Sequence, residues 1–149
     1  TLCDTVARTP PAWPEAWAAR VATVTAAGSV APLADTTTAR WLSEGFRGRN
    51  PARWSEIRNA IAAMPLAGYL GAAAALIGFD FTAELPALRV PTLVISGAHD
   101  EGTPPDANRE IAALIPGARY EEIADARHMP NVEHPETFNR LLLAWLTGP

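Results

Sequence analysis

The chain of 149 residues contains no lysine and no glutamine, one cysteine, and only four serines. A single Cys3 excludes an internal disulfide framework and a zinc site built from cysteine pairs. All twelve basic residues are arginine. Against sixteen acidic residues they leave a net charge of −4, which excludes a nucleic-acid or membrane-surface binder driven by a basic patch. No apolar run approaches the roughly 20 residues of a membrane-spanning helix, and no basic segment precedes an apolar one at the start. The expected location is therefore the cytoplasm. The lack of Lys and Gln beside 30 alanines reads as a bias of coding composition without functional meaning.

What is present suits a folded domain: 48% apolar and 19% charged residues in the length of one ordinary domain. Residues 10 to about 80 read as helix after helix. Trp13, Trp17, Val21 and Val24 recur at spacings of three and four between Pro14 and Gly28. A second run holds Thr38, Trp41, Leu42 and Phe46 and is closed by Gly45 and Gly48. A third starts at Asn50-Pro51 with Trp54, Ile57 and Ile61 on one face. A fourth follows Pro65, and its small residues from Gly71 to Ala75 predict close packing on a neighbour or a pocket floor.

Residues 88 to 147 read differently, as strand, helix, strand, helix. Val90 to Ser96 is a continuous apolar, β-branched run ending at Gly97, the pattern of a central strand buried on both faces. Pro104-Pro105 opens a helix with Ala107, Ile111, Leu114 and Ile115 inward. Arg119–Ile123 is a second strand. Pro135 starts a helix with Phe138, Leu141, Leu142, Trp145 and Leu146 on one stripe. Alternation of this kind implies an α/β fold with a parallel sheet.

Ligands of parallel sheets bind beyond the carboxyl ends of the strands. The first strand delivers Asp100 to that edge and the second delivers His128. An Asp that orients a His is two-thirds of a nucleophilic triad, and the order acid-then-His is that of α/β-hydrolases. Taken alone, Asp100 fits a turn and His128 a surface histidine; their joint placement favours catalysis. His99 reads as an exposed loop residue and His134 as a helix-entry residue. The six-residue spacing of His128 and His134 across a proline is not that of a helical zinc pair, so no metal and no other cofactor is expected. Cys3 reads as a small buried hydrophobe.

The run Val90-Pro91-Thr92-Leu93-Val94-Ile95-Ser96-Gly97-Ala98-His99-Asp100, with Thr103-Pro104-Pro105, and His128 before Asn131-Val132-Glu133-His134-Pro135, resembles the C-terminal part of an α/β-hydrolase. Arg40-Trp41-Leu42 with Phe46, and Gly68-Tyr69-Leu70-Gly71-Ala72-Ala73-Ala74-Ala75 before Phe79-Asp80, are similar to the helical lid of 3-oxoadipate enol-lactonases. Leu2-Cys3-Asp4-Thr5 resembles the end of the strand that leads into that lid. The resemblance implies three segments: 1–9 as the end of a core strand, 10–85 as the lid, and 86–149 as the last part of the α/β core. It implies that Asp100 holds His128, that His128 serves a serine as base and the leaving enolate as acid, and that an acyl-enzyme is hydrolysed by water. Arg40 and Trp41 are implied contacts for the carboxylate of a small anionic lactone, with Tyr69 and Met129 as further substrate contacts. The implied setting is the β-ketoadipate route of aromatic-compound breakdown.

Taken singly, Arg40 also fits a solvated charge, and Trp41 and Trp54 fit core residues. None of Ser29, Ser43, Ser55 and Ser96 stands in a Gly-x-Ser-x-Gly elbow, and no oxyanion segment is present. The expected partner is therefore the N-terminal half of the same hydrolase, carrying the nucleophile. Alone, the strand at 90–96 is expected to leave apolar faces and a hydrogen-bonding edge uncovered. The competing readings are another α/β-hydrolase chemistry (carboxylesterase, C–C or epoxide hydrolase, haloperoxidase-like) and a non-catalytic ligand-binding remnant.

Overall fold

The computed structural model describes residues 1–148. In chain order the elements are β1 (Leu2–Cys3), α1 (Trp13–Ala27), α2 (Ala34–Trp41), α3 (Glu44–Arg49), α4 (Pro51–Ala62), α5 (Leu66–Ala75), β2 (Leu93–Gly97), α6 (Pro105–Leu114), β3 (Arg119–Ile123), α7 (Pro130–Glu133) and α8 (Pro135–Leu146). Short 3-10 turns lie at Ala31–Leu33 and Leu85–Ala87. Among the described residues, no helix is long and apolar enough to cross a membrane. The chain divides into two compact units. The sheet unit holds Thr1–Ala7, Arg40–Ser43 and the chain from Phe81 onward; the helical unit holds Arg8–Ala39 and Glu44–Asp80.

In the sheet unit the three strands are parallel in the order β1-β2-β3, with Leu2 opposite Val94 and Leu93 opposite Arg119. Every residue of β2 is buried. The two-residue alternation of a strand sends its side chains to two separate cores. Leu93 and Ile95 pack with Ile123 and Ala126 under Phe138, Leu141 and Trp145 of α8. Val94 packs with Ala7, Ile111 and Ile115 on the α6 side. The continuous apolar run thus reflects burial on both faces. The expected uncovered faces of this strand are not seen, since both are packed within the unit; along its edges β3 pairs with all five residues, whereas β1 pairs only with Val94 and Ile95. The strand also starts later than the apolar run suggests. Pro91 has no amide hydrogen to give to a ladder, and Val90 is 63% exposed.

Three further expectations change. The stripe of α8 ends early, because Leu146 is 68% exposed, and Cys3 is exposed as well. The run from Thr38 to Phe46 is two helices, not one. At the break, the Trp41 carbonyl accepts the Met129 amide (3.2 Å) and the Ser43 amide donates to Glu133 Oε1 (2.8 Å). Those groups are withdrawn from a helical ladder, and residues 40–43 group with the sheet unit instead of the helical stretch. Gly45 and Gly48 lie inside α3.

The helical unit covers Arg8–Ala39 and Glu44–Asp80, so it leaves out residues 40–43 and stops short of residue 85. Gly28 ends α1 in a left-handed conformation (φ 64°) that only glycine adopts without cost, and its amide closes on Val24 and Thr25. Trp54, Ile57 and Ile61 form the buried face of α4. The small residues of α5 do not pack closely. Only Ala73 among residues 71–75 is buried, and a Cβ on Gly68 or Gly71 would meet nothing within 4 Å.

Candidate active site

The site lies within the sheet unit, beyond the carboxyl ends of β2 and β3. Gly97, the last residue of β2, makes the approach possible. A Cβ there would stand 2.1 Å from the Arg127 carbonyl oxygen and 2.6 Å from that of Ala126. Only a residue without a side chain lets the loop after β3 cross at this point. The crossing is held by backbone bonds from Ala98 to Ile123 (3.0 Å) and from His99 to Ala126 (2.9 Å). Asp125, at φ 60°, turns the chain back sharply just after β3.

Asp100 is fixed before any substrate arrives. Its Oδ1 accepts the amides of Gly102 (2.8 Å) and Thr103 (3.2 Å), closing an Asx turn, and its Oδ2 accepts the Thr103 hydroxyl. The same Oδ2 lies 2.8 Å from His128 Nδ1. Burial alone raises this carboxyl, but the hydrogen bonds from His128 and Thr103 outweigh it and hold the group down at about 2. An ionised Asp100 can only accept, so the His128 proton sits on Nδ1 and Nε2 is left as the acceptor. The His128 side chain is 28% exposed against 1% for Asp100, an open base on a buried anchor.

The loop bearing His128 is clamped by a residue that sequence reasoning missed. Glu133 is buried, and its two oxygens accept the amides of Ser43 (2.8 Å) and Arg127 (2.6 Å). Asn108 on α6 is a second such residue. Fully buried, it accepts the Thr5 amide (3.1 Å) and donates to the carbonyl of Thr103 (2.9 Å), tying the exit of β1 to the Asp100 loop. No spacing signal marks either residue. Thr103, by contrast, could have been found from the Asp-x-x-Thr spacing of an Asx turn.

Of the expected substrate contacts, the structure brings three into this unit. The Trp41 ring lies over His128, with centroids 5.6 Å apart at 35°. The Met129 amide bonds to Trp41, and a Cβ on Gly102, beside Asp100, would lie 3.2 Å from Arg40 Nη2. Tyr69 belongs to the helical unit, where its hydroxyl accepts Arg20 Nε (2.9 Å) and its ring packs on Trp17. That unit also has an open cavity of about 430 Å³ lined by Asp35, Thr36, Ala39, Arg47 and Trp54. His99 is exposed, 3.9 Å from Asp125, and His134 stands at the entry of α8. Ser96 Oγ is 2.7 Å from Tyr120 Oη and Ser55 Oγ bonds to the Pro51 carbonyl.

The family model described as the alpha/beta hydrolase fold matches residues 4–135. The chain is 31% identical over 130 residues to 3-oxoadipate enol-lactonase 2 of Acinetobacter baylyi, covering 87% of this chain and 48% of that protein. It superposes on the crystal structure of the enol-lactonase from Burkholderia xenovorans LB400 with a TM-score of 0.90 at 35% identity, over 97% of this chain and 54% of the other. The thermophilic esterase from Thermogutta terrifontis, solved with malate bound, gives a TM-score of 0.87 at 33% identity over 97% and 54%. The chain spans about half the length of these relatives. With a buried acid after one parallel strand bonded to a histidine after the next, the chain belongs to the alpha/beta hydrolase fold family.

Proposed function

We propose that this chain supplies the acid and base of a serine hydrolase that opens an enol-lactone or cleaves a carboxylic ester. The observation that carries the reading is the 2.8 Å bond from His128 Nδ1 to a buried, ionised Asp100. His128 Nε2 takes the proton of a serine as that serine attacks the carbonyl, and returns it to the departing enolate or alkoxide oxygen. Asp100 holds the ring tautomer and stabilises the imidazolium. Water then releases the acid from the acyl-enzyme by the same proton path. The serine, on a Gly-x-Ser-x-Gly elbow, and the oxyanion donors come from an N-terminal half outside this sequence. Arg40, whose Nη2 would lie 3.2 Å from a Cβ on Gly102 beside Asp100, meets the carboxylate of an anionic substrate in this reading, and the enol-lactonases among the relatives favour a lactone. The likeness to an esterase favours a plain carboxylic ester as the second reading. The helical unit serves as a lid, and the enzyme works in the cytoplasm.

The chain, produced together with the segment encoded immediately upstream of Thr1, is assayed on an enol-lactone and on a neutral p-nitrophenyl ester. Hydrolysis is expected to fall at least about 10³-fold in Asp100→Asn and His128→Ala. Full activity in either variant, or an upstream segment with no Gly-x-Ser-x-Gly, overturns the reading. A preference for the aryl ester selects the second substrate class.

A further inference from the structure

The reaction above uses two of three ionisable groups that share this site. The third is Asp4, directly after β1. It is held at φ 42°, a conformation rare for any residue but glycine. Its side chain is buried, and Oδ1 accepts the Gly97 amide at 2.8 Å. Oδ2 is also buried but has no hydrogen-bond partner, an expensive state for a charged oxygen. One carboxylate oxygen of Asp4, one of Asp100 and one ring nitrogen of His128 all lie within 4.8 Å of one another. Two ionised carboxylates this close, one of them unsatisfied, repel each other, so one takes a proton. Asp100 already has four donors around it. Asp4 has one, so Asp4 is the one that is protonated, because a neutral carboxyl costs far less to bury with an unpaired oxygen than an ionised one.

We propose that Asp4 is a positioning residue for the Asp100–His128 pair: a neutral acid set against Asp100 that becomes a second counter-charge to the imidazolium when it ionises. This rests on the hydrolase reading for its catalytic consequence but not for its charge state. The ionisable groups that face Asp4 are Cys3 on its own strand, Asp100 after β2 and His128 after β3; Asn108 of α6, close by, is neutral. Arg40 reaches only the far side of the Asp100 loop, at Gly102. Burial pushes the Asp4 carboxyl up to about 7, the Gly97 amide pulls it back, and the charge of Asp100 raises it further while that of His128 lowers it. Coupling is reciprocal, so an ionised Asp4 must favour the imidazolium by the same amount that the imidazolium favours ionised Asp4. The imidazolium is the species that develops as the serine attacks the carbonyl and gives its proton to His128. An ionised Asp4 therefore speeds the alkaline limb of the reaction.

Two measurements test this. In the reconstituted hydrolase, with a p-nitrophenyl ester as probe, the ratio of native kcat/KM to that of Asp4→Asn is expected to rise about tenfold between about pH 6 and pH 9. A ratio of any size that is constant with pH marks a merely structural residue and overturns the proposal. Independently of activity, the ¹³C resonance of the Asp4 carboxyl in the native chain is expected to titrate with a midpoint near neutrality, and to shift lower in Asp100→Asn. An Asp4 already ionised at about pH 5 overturns the proposal and leaves the hydrolase reading standing. Absence of hydrolysis with a neutral Asp4 overturns that reading and leaves the charge state standing. The midpoint itself is read on the native chain, without any substitution.

Discussion

The residues that make the site work are partly those that carry no chemistry. Glu133 takes no step in the proposed reaction, yet both of its oxygens accept backbone amides, Oε1 that of Ser43 and Oε2 that of Arg127 in the His128 loop. Glu133→Ala removes both of these buried hydrogen bonds, and chemical denaturation is expected to show a loss of about 2–4 kcal/mol. Glu133→Gln keeps only one oxygen and is expected to lose about half of that. Equal stability of the Ala variant and the native chain would show that the clamp is dispensable. Asp100 and His128 could be read from the sequence because chain position alone puts them beyond strand ends. Glu133, Asn108 and Asp4 could not, because what selects them is a backbone amide presented from a distant part of the chain. No local periodicity encodes that.

At the scale of elements, the sequence was clearest where one physical rule dominates. The strand β3, the burial of Trp54, Ile57 and Ile61 on α4 and the glycine stop of α1 follow from alternation, helical spacing and the left-handed cap. It misled where tertiary hydrogen bonds overrode local preference, as at the break between α2 and α3, and where a run of small residues proved to be solvent-facing on α5. The junction of β2 with the loop after β3 is the tightest of these contacts. Gly97→Ala must displace two backbone carbonyls, neither of which can rotate away like a side chain. A cost of at least about 3 kcal/mol is expected in the unfolding free energy, together with weakening of the Asp100–His128 bond visible as a shift of the Nδ1 proton resonance. An alanine variant as stable as native would mean that the loop can retreat without consequence.

For the molecule as a whole, Asp4 and Asp100 set opposite slopes of stability with pH. Asp100 is held near 2 against an unfolded value of about 3.9, so its contribution is full above that unfolded value and disappears as the pH falls toward 2. Asp4 is raised to about 7, so the folded chain binds its proton more tightly than the unfolded chain does. Its ionisation therefore costs stability as the pH rises from about 4 to 7. Thermal unfolding is expected to show Asp4→Asn gaining on the native chain across that interval and holding a constant lead above it; parallel curves throughout would contradict the assignment. The topology adds a kinetic side. Leu2 pairs with Val94, 92 positions away, whereas Leu93 pairs with Arg119, only 26 away. Loop-closure entropy makes the first pairing dearer by about 1 kcal/mol, with only two residues of strand to offset it. The acid and the base are thus brought together by short-range folding of β2, β3 and their helices, and the segment bearing the second carboxyl docks last and detaches first.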